Sequence, residues 1–277
     1  MRATSIHPEL RARLRRIEGR HNPMLKELRR AFSRAELTAD GYCAIEGLRV
    51  VEEAVRSGLR FRAVFFSESA IVIANRLLPQ IGSHTEALLI PEKLFTSIVP
   101  SEAPQGIAAL VRWKESSLDD LLAKAQPRPV LVTAGVQDPG NLGTILRSAE
   151  AFAAAGLILG EGTVSPFNSK LVRASAGSIF RVPLVPSQLV SVLEPLRQND
   201  FHLWATSSHK GTPLPNAKFP DRVAIFIGNE AAGLPRDLLP QMDEILTIPH
   251  SSKVDSLNAG VAASIVLYEI MRRHSVS

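Results

Sequence analysis

The stretch EILTIPHSSKVDSLNAGVAASIVLYEI, residues 244–270, decides how the chain is read. A short apolar run, Glu244-Ile245-Leu246-Thr247-Ile248, ends at Pro249. A mostly polar loop follows through Asp255, and an apolar segment with helical spacing begins at Ser256-Leu257-Asn258. That pattern is strand, loop, helix. Small residues (Ala259, Gly260, Ala262, Ala263, Ser264) crowd the first turns, and Val261, Ile265, Val266, Leu267 and Tyr268 leave almost no polar face. The helix is therefore expected to be buried nearly all round, against its own domain or against a second chain. Asp255 or Ser256 is expected to cap it, so that free backbone N–H groups face the polar loop, where a ligand could sit. From this stretch alone, an ordinary core helix after an ordinary strand reads equally well.

The residues upstream, from Val130 on, repeat the same alternation. Val130 to Thr133 reads as a buried strand, Asn141 to Ala155 as a helix, Leu157 to Leu159 as a strand and Lys170 to Ser178 as a helix. Val182 to Val185 is a strand, Leu189 to Asn199 a helix, and His202 to Thr206 and Val223 to Ile227 are strands. Strands alternating with helices indicate an α/β fold whose mostly parallel sheet is covered on both faces. Ligands of such sheets bind at the carboxyl ends of the strands, which singles out the loops after Thr133, Thr206, Ile227 and Ile248.

Three of these loops carry polar residues and glycines in a distinctive arrangement. After Thr133 comes a turn leading into Asn141-Leu142-Gly143-Thr144-Ile145-Leu146-Arg147-Ser148-Ala149, with Asn141 read as the helix cap. Leu142, Ile145, Leu146, Ala149 and Phe152 form the apolar stripe, and Arg147 lies off it. A cation near the positive end of a helix gains nothing from the macrodipole, so Arg147 serves either an anion outside the helix or a surface pair with Glu150 or an acid elsewhere in the fold. After Ile227, Gly228 and Gly233 bracket Asn229-Glu230, which suits either a tight turn against a ligand or a plain strand-to-helix turn. No phosphate loop is present, because Gly143 is followed by Thr-Ile rather than Lys-Ser/Thr, and the dinucleotide fingerprint lacks its third glycine.

Before Val130 lies a second, smaller α/β/α pattern, with a helical stretch from about Pro8 to Phe32 interrupted near Gly19 to Pro23, strands at 41–45, 62–66, 87–90 and 106–113, and helices at 48–57, 70–78 and 91–98. The polar and Pro-rich stretch 116–129 separates it from the rest, giving domains at 1–115 and 130–277. Of 277 residues 45% are apolar, and no low-complexity tract or repeat occurs, so both parts are expected to build a core. The single Cys43 excludes an internal disulfide, suits a reducing compartment and reads as a small buried hydrophobe. The N-terminus has charge without an apolar core behind it, and no run is long enough to span a bilayer, so a cytoplasmic protein is expected. The net charge of +5 is lopsided. Arg11, Arg13, Arg15, Arg16, Arg20, Lys26, Arg29, Arg30 and Arg34 fall in the first segment with only Glu9, Glu18, Glu27 and Glu36 to balance them, which points to a phosphate polymer.

Taken together and in order, the motif 141–149, Ile227-Gly228-Asn229-Glu230 with Gly233, and Ile248-Pro249 with Ser256-Leu257-Asn258 resemble the three motifs of SpoU-type (SPOUT superfamily) RNA 2′-O-ribose methyltransferases. The resemblance covers Val130 to Arg272. Asn22-Pro23 and Ala44-Ile45-Glu46-Gly47 resemble the ribosomal-protein-like RNA-binding domain often joined to this family. The resemblance implies a trefoil-knot methyltransferase domain behind an RNA-binding domain. It also implies S-adenosylmethionine as cofactor, contacted at Thr206, Gly228, Ile248 and Leu257. It assigns Arg147 the role of base, with Asn141, Glu230, Ser256 and Asn258 positioning it and the ribose; because a guanidinium is a poor base, a clamp on the target phosphate stands beside it as a second role. Implied partners are a structured RNA, ribosomal RNA ahead of transfer RNA, and a second copy of the chain packed through the C-terminal helix. No metal, membrane or DNA is expected. Alternative readings are base methylation by a knotted relative and an inactive RNA-binding assembly factor. The last loop departs from the family where it carries His250 and Ser252 in place of an apolar residue and a glycine. His250 reads as a solvent-facing loop residue rather than a proton shuttle.

Overall fold

The computed structural model describes residues 7–123, 125, 128–230 and 232–274. Lys124, Gln126 and Pro127 of the expected linker, Ala231 of the Gly228–Gly233 stretch and both chain ends lie outside the described residues. The chain forms two compact units, Met1–Lys114 with Ser165–Phe180, and Glu115–Val164 with Arg181–Ser277.

In the first unit, α1 (Pro8–Arg13), β1 (Leu14–Arg16), α2 (Pro23–Arg34), β2 (Tyr42–Glu46) and α3 (Leu48–Arg56) precede β3 (Phe61–Ser67), α4 (Ile71–Leu77), β4 (Glu86–Ile90), α5 (Glu92–Thr96) and β5 (Ile107–Arg112). The sheet order is β1-β4-β3-β5-β2, parallel from β1 to β3 and antiparallel at β5. Pro23 opens α2, and the Asn22 side chain caps it by accepting from the Met24 N–H at 2.9 Å. Met24, Leu25, Leu28 and Ala31 then recur on one face and bury against Phe65, Leu88, Phe95 and Leu110. Cys43 is fully buried, and burial pushes its thiol up to about 12, as expected for an inert core residue.

Two features of this unit depart from the sequence reading. The segment Leu14–Arg16, expected to be helical, is an edge strand, because Ile17 is drawn into the core and its N–H binds the Leu89 carbonyl at 2.9 Å. The basic residues around it are also not a free arm. Arg13 donates to the carbonyls of Leu78, Ile81 and Gly82, Arg15 pairs with Glu86 at 2.5 Å, and Arg16 pairs with Glu68 at 2.8 Å. Most of the balancing acids therefore come from later in the chain. Lys26, Arg30 and Arg34 remain exposed along α2, spaced by four residues and without a side-chain partner among the described residues.

The second unit runs α6 (Leu118–Ala123), β6 (Val130–Ala134), α7 (Pro139–Ala151) and β7 (Gly156–Leu159). The chain then contributes α8 (Ser169–Ala174) to the first unit. It returns as β8 (Leu184–Pro186), α9 (Leu189–Gln198), β9 (His202–Ser207), β10 (Thr212–Pro213), β11 (Val223–Gly228), β12 (Glu244–Thr247) and α10 (Ala259–His274). All seven strands are parallel, in the order β10-β12-β9-β11-β6-β7-β8, and β6 and β7 are buried along their whole length. The carboxyl ends of β9, β11 and β12 lie side by side, and the loops that follow them meet at one edge of the sheet.

Candidate active site

The turn after β6 places its polar residues through a cap that the sequence reading misassigned. Asp138, not Asn141, caps α7, accepting from the Asn141 N–H at 2.8 Å with Pro139 in the first helical position. Asn141 thus sits inside the first turn with its side chain free to work elsewhere. At α10 the expected caps Asp255 and Ser256 give way to Asn258, whose Oδ1 accepts from the N–H groups of Gly260 at 2.9 Å and Val261 at 3.2 Å. The other end of the same amide donates to Asn141 Oδ1 at 2.6 Å, and Asn141 Nδ2 donates to Glu230 at 2.8 Å. Residues from three loops, 117 and 89 positions apart, are joined in one hydrogen-bonded chain.

Close helix packing makes this possible. A Cβ on Gly260 would lie 2.9 Å from Thr144 Cβ and 3.2 Å from the Asn141 carbonyl, so only glycine lets α10 approach α7 this closely. One turn on, Ser148 and Ser264 share a 2.6 Å hydrogen bond. Only one face of α10 is buried within the chain. Ala259, Ala263, Val266, Leu267 and Ile270 are buried, whereas Val261, Ile265 and Tyr268 are 45%, 36% and 49% exposed. The expectation of burial all round is therefore met on one side only by this chain. Tyr268 stacks edge-on with Phe152 of the α7 end, 5.7 Å between centroids, extending the uncovered apolar strip.

The turn after β11 is closed by reciprocal backbone hydrogen bonds, Asn229 N–H to Gly233 O at 3.0 Å and Gly233 N–H to Asn229 O at 2.9 Å. Asn229 also braces it, donating to the Gly135 carbonyl at 2.7 Å and accepting from the Ala232 N–H at 3.0 Å. The carbonyl of Gly233 and the nitrogen of Leu234 fold over Gly228 where a Cβ would have to stand.

Between these loops lies a cavity of about 530 Å³, within the range of small-molecule sites. Thr206, Gly228, Glu230, Ile248, Ser256 and Leu257 line it, together with an apolar wall of Leu234, Leu239, Leu246, Ala259 and Ala262. The apolar wall suits the flat face of a purine nucleoside, and the polar rim suits its sugar and a charged tail. All four expected cofactor contacts and two of the five expected positioning or catalytic residues thus line one cavity, and Asn141 and Asn258 join it through Glu230. Arg147 stands apart. It is exposed on α7, outside the cavity lining, with no side-chain partner among the described residues, while Glu150, its alternative partner, is held by Arg181. His209 and Lys210, which the sequence reading did not single out, line the cavity too. Their signal was position, since they follow the carboxyl end of β9.

Comparison with known proteins places this geometry. The profile described as the SpoU rRNA Methylase family matches residues 128–268, and that of the MRM3-like substrate binding domain matches residues 22–109. The 23S rRNA (guanosine(2553)-2′-O)-methyltransferase RlmP of Bacillus subtilis is 31% identical over 257 residues, covering 93% of this chain and 99% of that one. Among solved structures, an AdoMet-bound rRNA methyltransferase from Sinorhizobium meliloti superposes with a TM-score of 0.79 at 26% identity, covering 96% of this chain and all of that one. An RNA 2′-O ribose methyltransferase gives 0.77 at 29% identity, covering 94% of this chain and all of that one.

Proposed function

Because the chain belongs to the SpoU rRNA methylase family, we propose that it transfers a methyl group from S-adenosylmethionine to a ribose 2′-hydroxyl of a structured RNA, ribosomal RNA ahead of transfer RNA. The observation that carries the reading is the Asn258–Asn141–Glu230 chain at the edge of a cavity lined by Thr206, Gly228, Ile248 and Leu257. When bound there, the cofactor supplies an electrophilic methyl group on a sulfonium. The chain's own task is alignment, which is worth on the order of 7 kcal/mol or more when both groups are held in line. Glu230, fixed by Asn141, and Ser256 on the facing loop hold the ribose. Arg147 serves either as the base or as a clamp on the target phosphate that lowers the cost of the alkoxide; guanidinium groups are poor bases, which favours the clamp.

The domain division follows the same reading. Residues 1–115 hold the RNA and 130–277 methylate, with the C-terminal segment threaded into a trefoil knot; the expected linker 116–129 groups with the second unit and Ser165–Phe180 with the first. Lys26, Arg30 and Arg34 on α2 meet RNA phosphates, by charge and shape rather than base sequence. The uncovered strip of Val261, Ile265 and Tyr268 supports a homodimer through α10, and the cytoplasm, where RNA and S-adenosylmethionine meet, is the compartment. Among the described residues no helix is long and apolar enough to cross a membrane, and no side-chain cluster could hold a metal. The test is incubation of the purified chain with methyl-labelled S-adenosylmethionine and unmodified ribosomal RNA. Label in the RNA supports the reading, and a chain that binds the RNA but transfers nothing is an assembly factor instead.

A further inference from the structure

Among the described residues lining the cavity, Lys210 is the one Lys or Arg, and it stands beside His209 and His250, outside the Asn258–Asn141–Glu230 chain. The loop that carries Lys210 is held firmly. Gly211, at φ 111°, passes so close to Ile245 of β12 that a Cβ would lie 2.6 Å from its carbonyl carbon, and Thr247 donates to the Ser208 carbonyl at 3.1 Å. The Lys210 ammonium itself is exposed and has no partner among the described residues. A cation at the rim of a cavity, carried on a braced loop and without an ion pair to Glu230 or Asp255, the two acids of the lining, is matched to an anionic ligand group.

His250 is set differently. It is half-buried, and its Nδ1 lies 2.7 Å from the Ile248 carbonyl oxygen. A carbonyl can only accept, so Nδ1 carries the hydrogen, and Nε2 of the neutral ring is left as an acceptor. The His209 ring lies 5.7 Å away, tilted by 34°. One unpartnered cation on a braced loop and one acceptor nitrogen on the adjoining loop are the complement of an α-amino acid: carboxylate to Lys210, ammonium to His250.

We propose that Lys210 and His250 form the subsite for the amino-acid tail of the cofactor, Lys210 holding its carboxylate and His250 Nε2 accepting from its ammonium. The inference rests on the methyltransferase reading. It fixes which end of the cavity the tail occupies and so leaves the apolar wall for the adenosine and the Glu230 end for the transferable methyl group.

The test is calorimetry with S-adenosylhomocysteine, its decarboxylated and deaminated analogues, and 5′-methylthioadenosine, which lacks the amino acid entirely. Lys210→Met is expected to weaken S-adenosylhomocysteine by about tenfold, the effect of one hydrogen bond to a charged group, and to leave the decarboxylated analogue unchanged. His250→Met or His250→Phe is expected to weaken S-adenosylhomocysteine similarly and to leave the deaminated analogue unchanged. Both variants are expected to bind 5′-methylthioadenosine as the parent chain does, which also reports that the cavity is intact. Wild-type affinity for S-adenosylhomocysteine in either variant, or an equal loss for 5′-methylthioadenosine, overturns the assignment. A parent chain that binds none of the four removes the methyltransferase reading as well, whereas a parent that binds with the wrong variant pattern removes only the subsite.

Discussion

Substituting Gly228 by alanine would place a methyl group 2.6 Å from the Gly233 carbonyl oxygen and closer still to the Gly233 carbonyl carbon and the Leu234 nitrogen. All three are backbone atoms, so no side chain can rotate away and the turn itself must open. Opening strains or breaks the two reciprocal hydrogen bonds between Asn229 and Gly233, about 1 kcal/mol each, or forces overpacking of about 1–3 kcal/mol. The closed turn is then disfavoured by about 1–3 kcal/mol. If the cofactor requires the closed turn, its affinity falls by about 5- to 150-fold. Isothermal calorimetry with S-adenosylmethionine reads this directly, and a thermal melt shows whether the fold survives. Gly233→Ala is the control. Its Cβ would meet open space, and the cost is confined to its φ of 68°, about 1 kcal/mol. A Gly228→Ala chain that binds S-adenosylmethionine within threefold of the parent would refute the account of this wall.

Arg147→Ala is expected to lower methyl transfer by about 1,000-fold with RNA and cofactor affinity retained, in line with removal of a charge-stabilising group; near-normal turnover would take Arg147 out of the mechanism. Ile265→Glu, which puts a charge in the middle of the uncovered α10 strip, is expected to convert a dimer to a monomer in sedimentation equilibrium, and a parent chain already monomeric at micromolar concentration would contradict the dimer. Hydrogen bonds from Arg272 and then Arg273 pull the Glu269 carboxyl down to about 2, below its ordinary value of 4.5. A depressed folded-state value means that Glu269 stabilises at and above about pH 5 and loses this between about pH 5 and 2. Glu269→Gln should therefore lower stability by about 1–2 kcal/mol at pH 7 and by much less at pH 2.5, and an equal melting deficit at both would refute it.

The alternation of apolar runs gave the strands and helices of both units, because parallel strands buried on both faces leave continuous Val, Ile and Leu runs that are hard to misread. The loops at the carboxyl ends were legible for the same reason, since strand ends fix where a ligand can sit. What escaped depended on contacts distant in sequence. Which residue caps α7 or α10 is settled by competition, and Asp138 at the first cap frees the Asn141 side chain for Glu230. The short edge strand Leu14–Arg16 has no periodicity of its own and exists because β4 offers it an edge. The placement of Ser165–Phe180 with the first unit could not be read from a segment embedded in the second. The exposed half of α10 looked buried because its apolar residues are the same on both faces, and sequence does not say which face its own chain covers. His209 and Lys210 carry no motif, and only the cavity drew them in.

The central claim is the position of the methyl group. The purified chain, methyl-labelled S-adenosylmethionine and unmodified ribosomal RNA should yield, after alkaline hydrolysis, label in an alkali-resistant dinucleotide, because a 2′-O-methyl group removes the hydroxyl that attacks the adjacent phosphate. Complete nuclease digestion should then place the label in a single 2′-O-methylnucleoside. Label recovered on a base, or none in the RNA at all, would contradict the account.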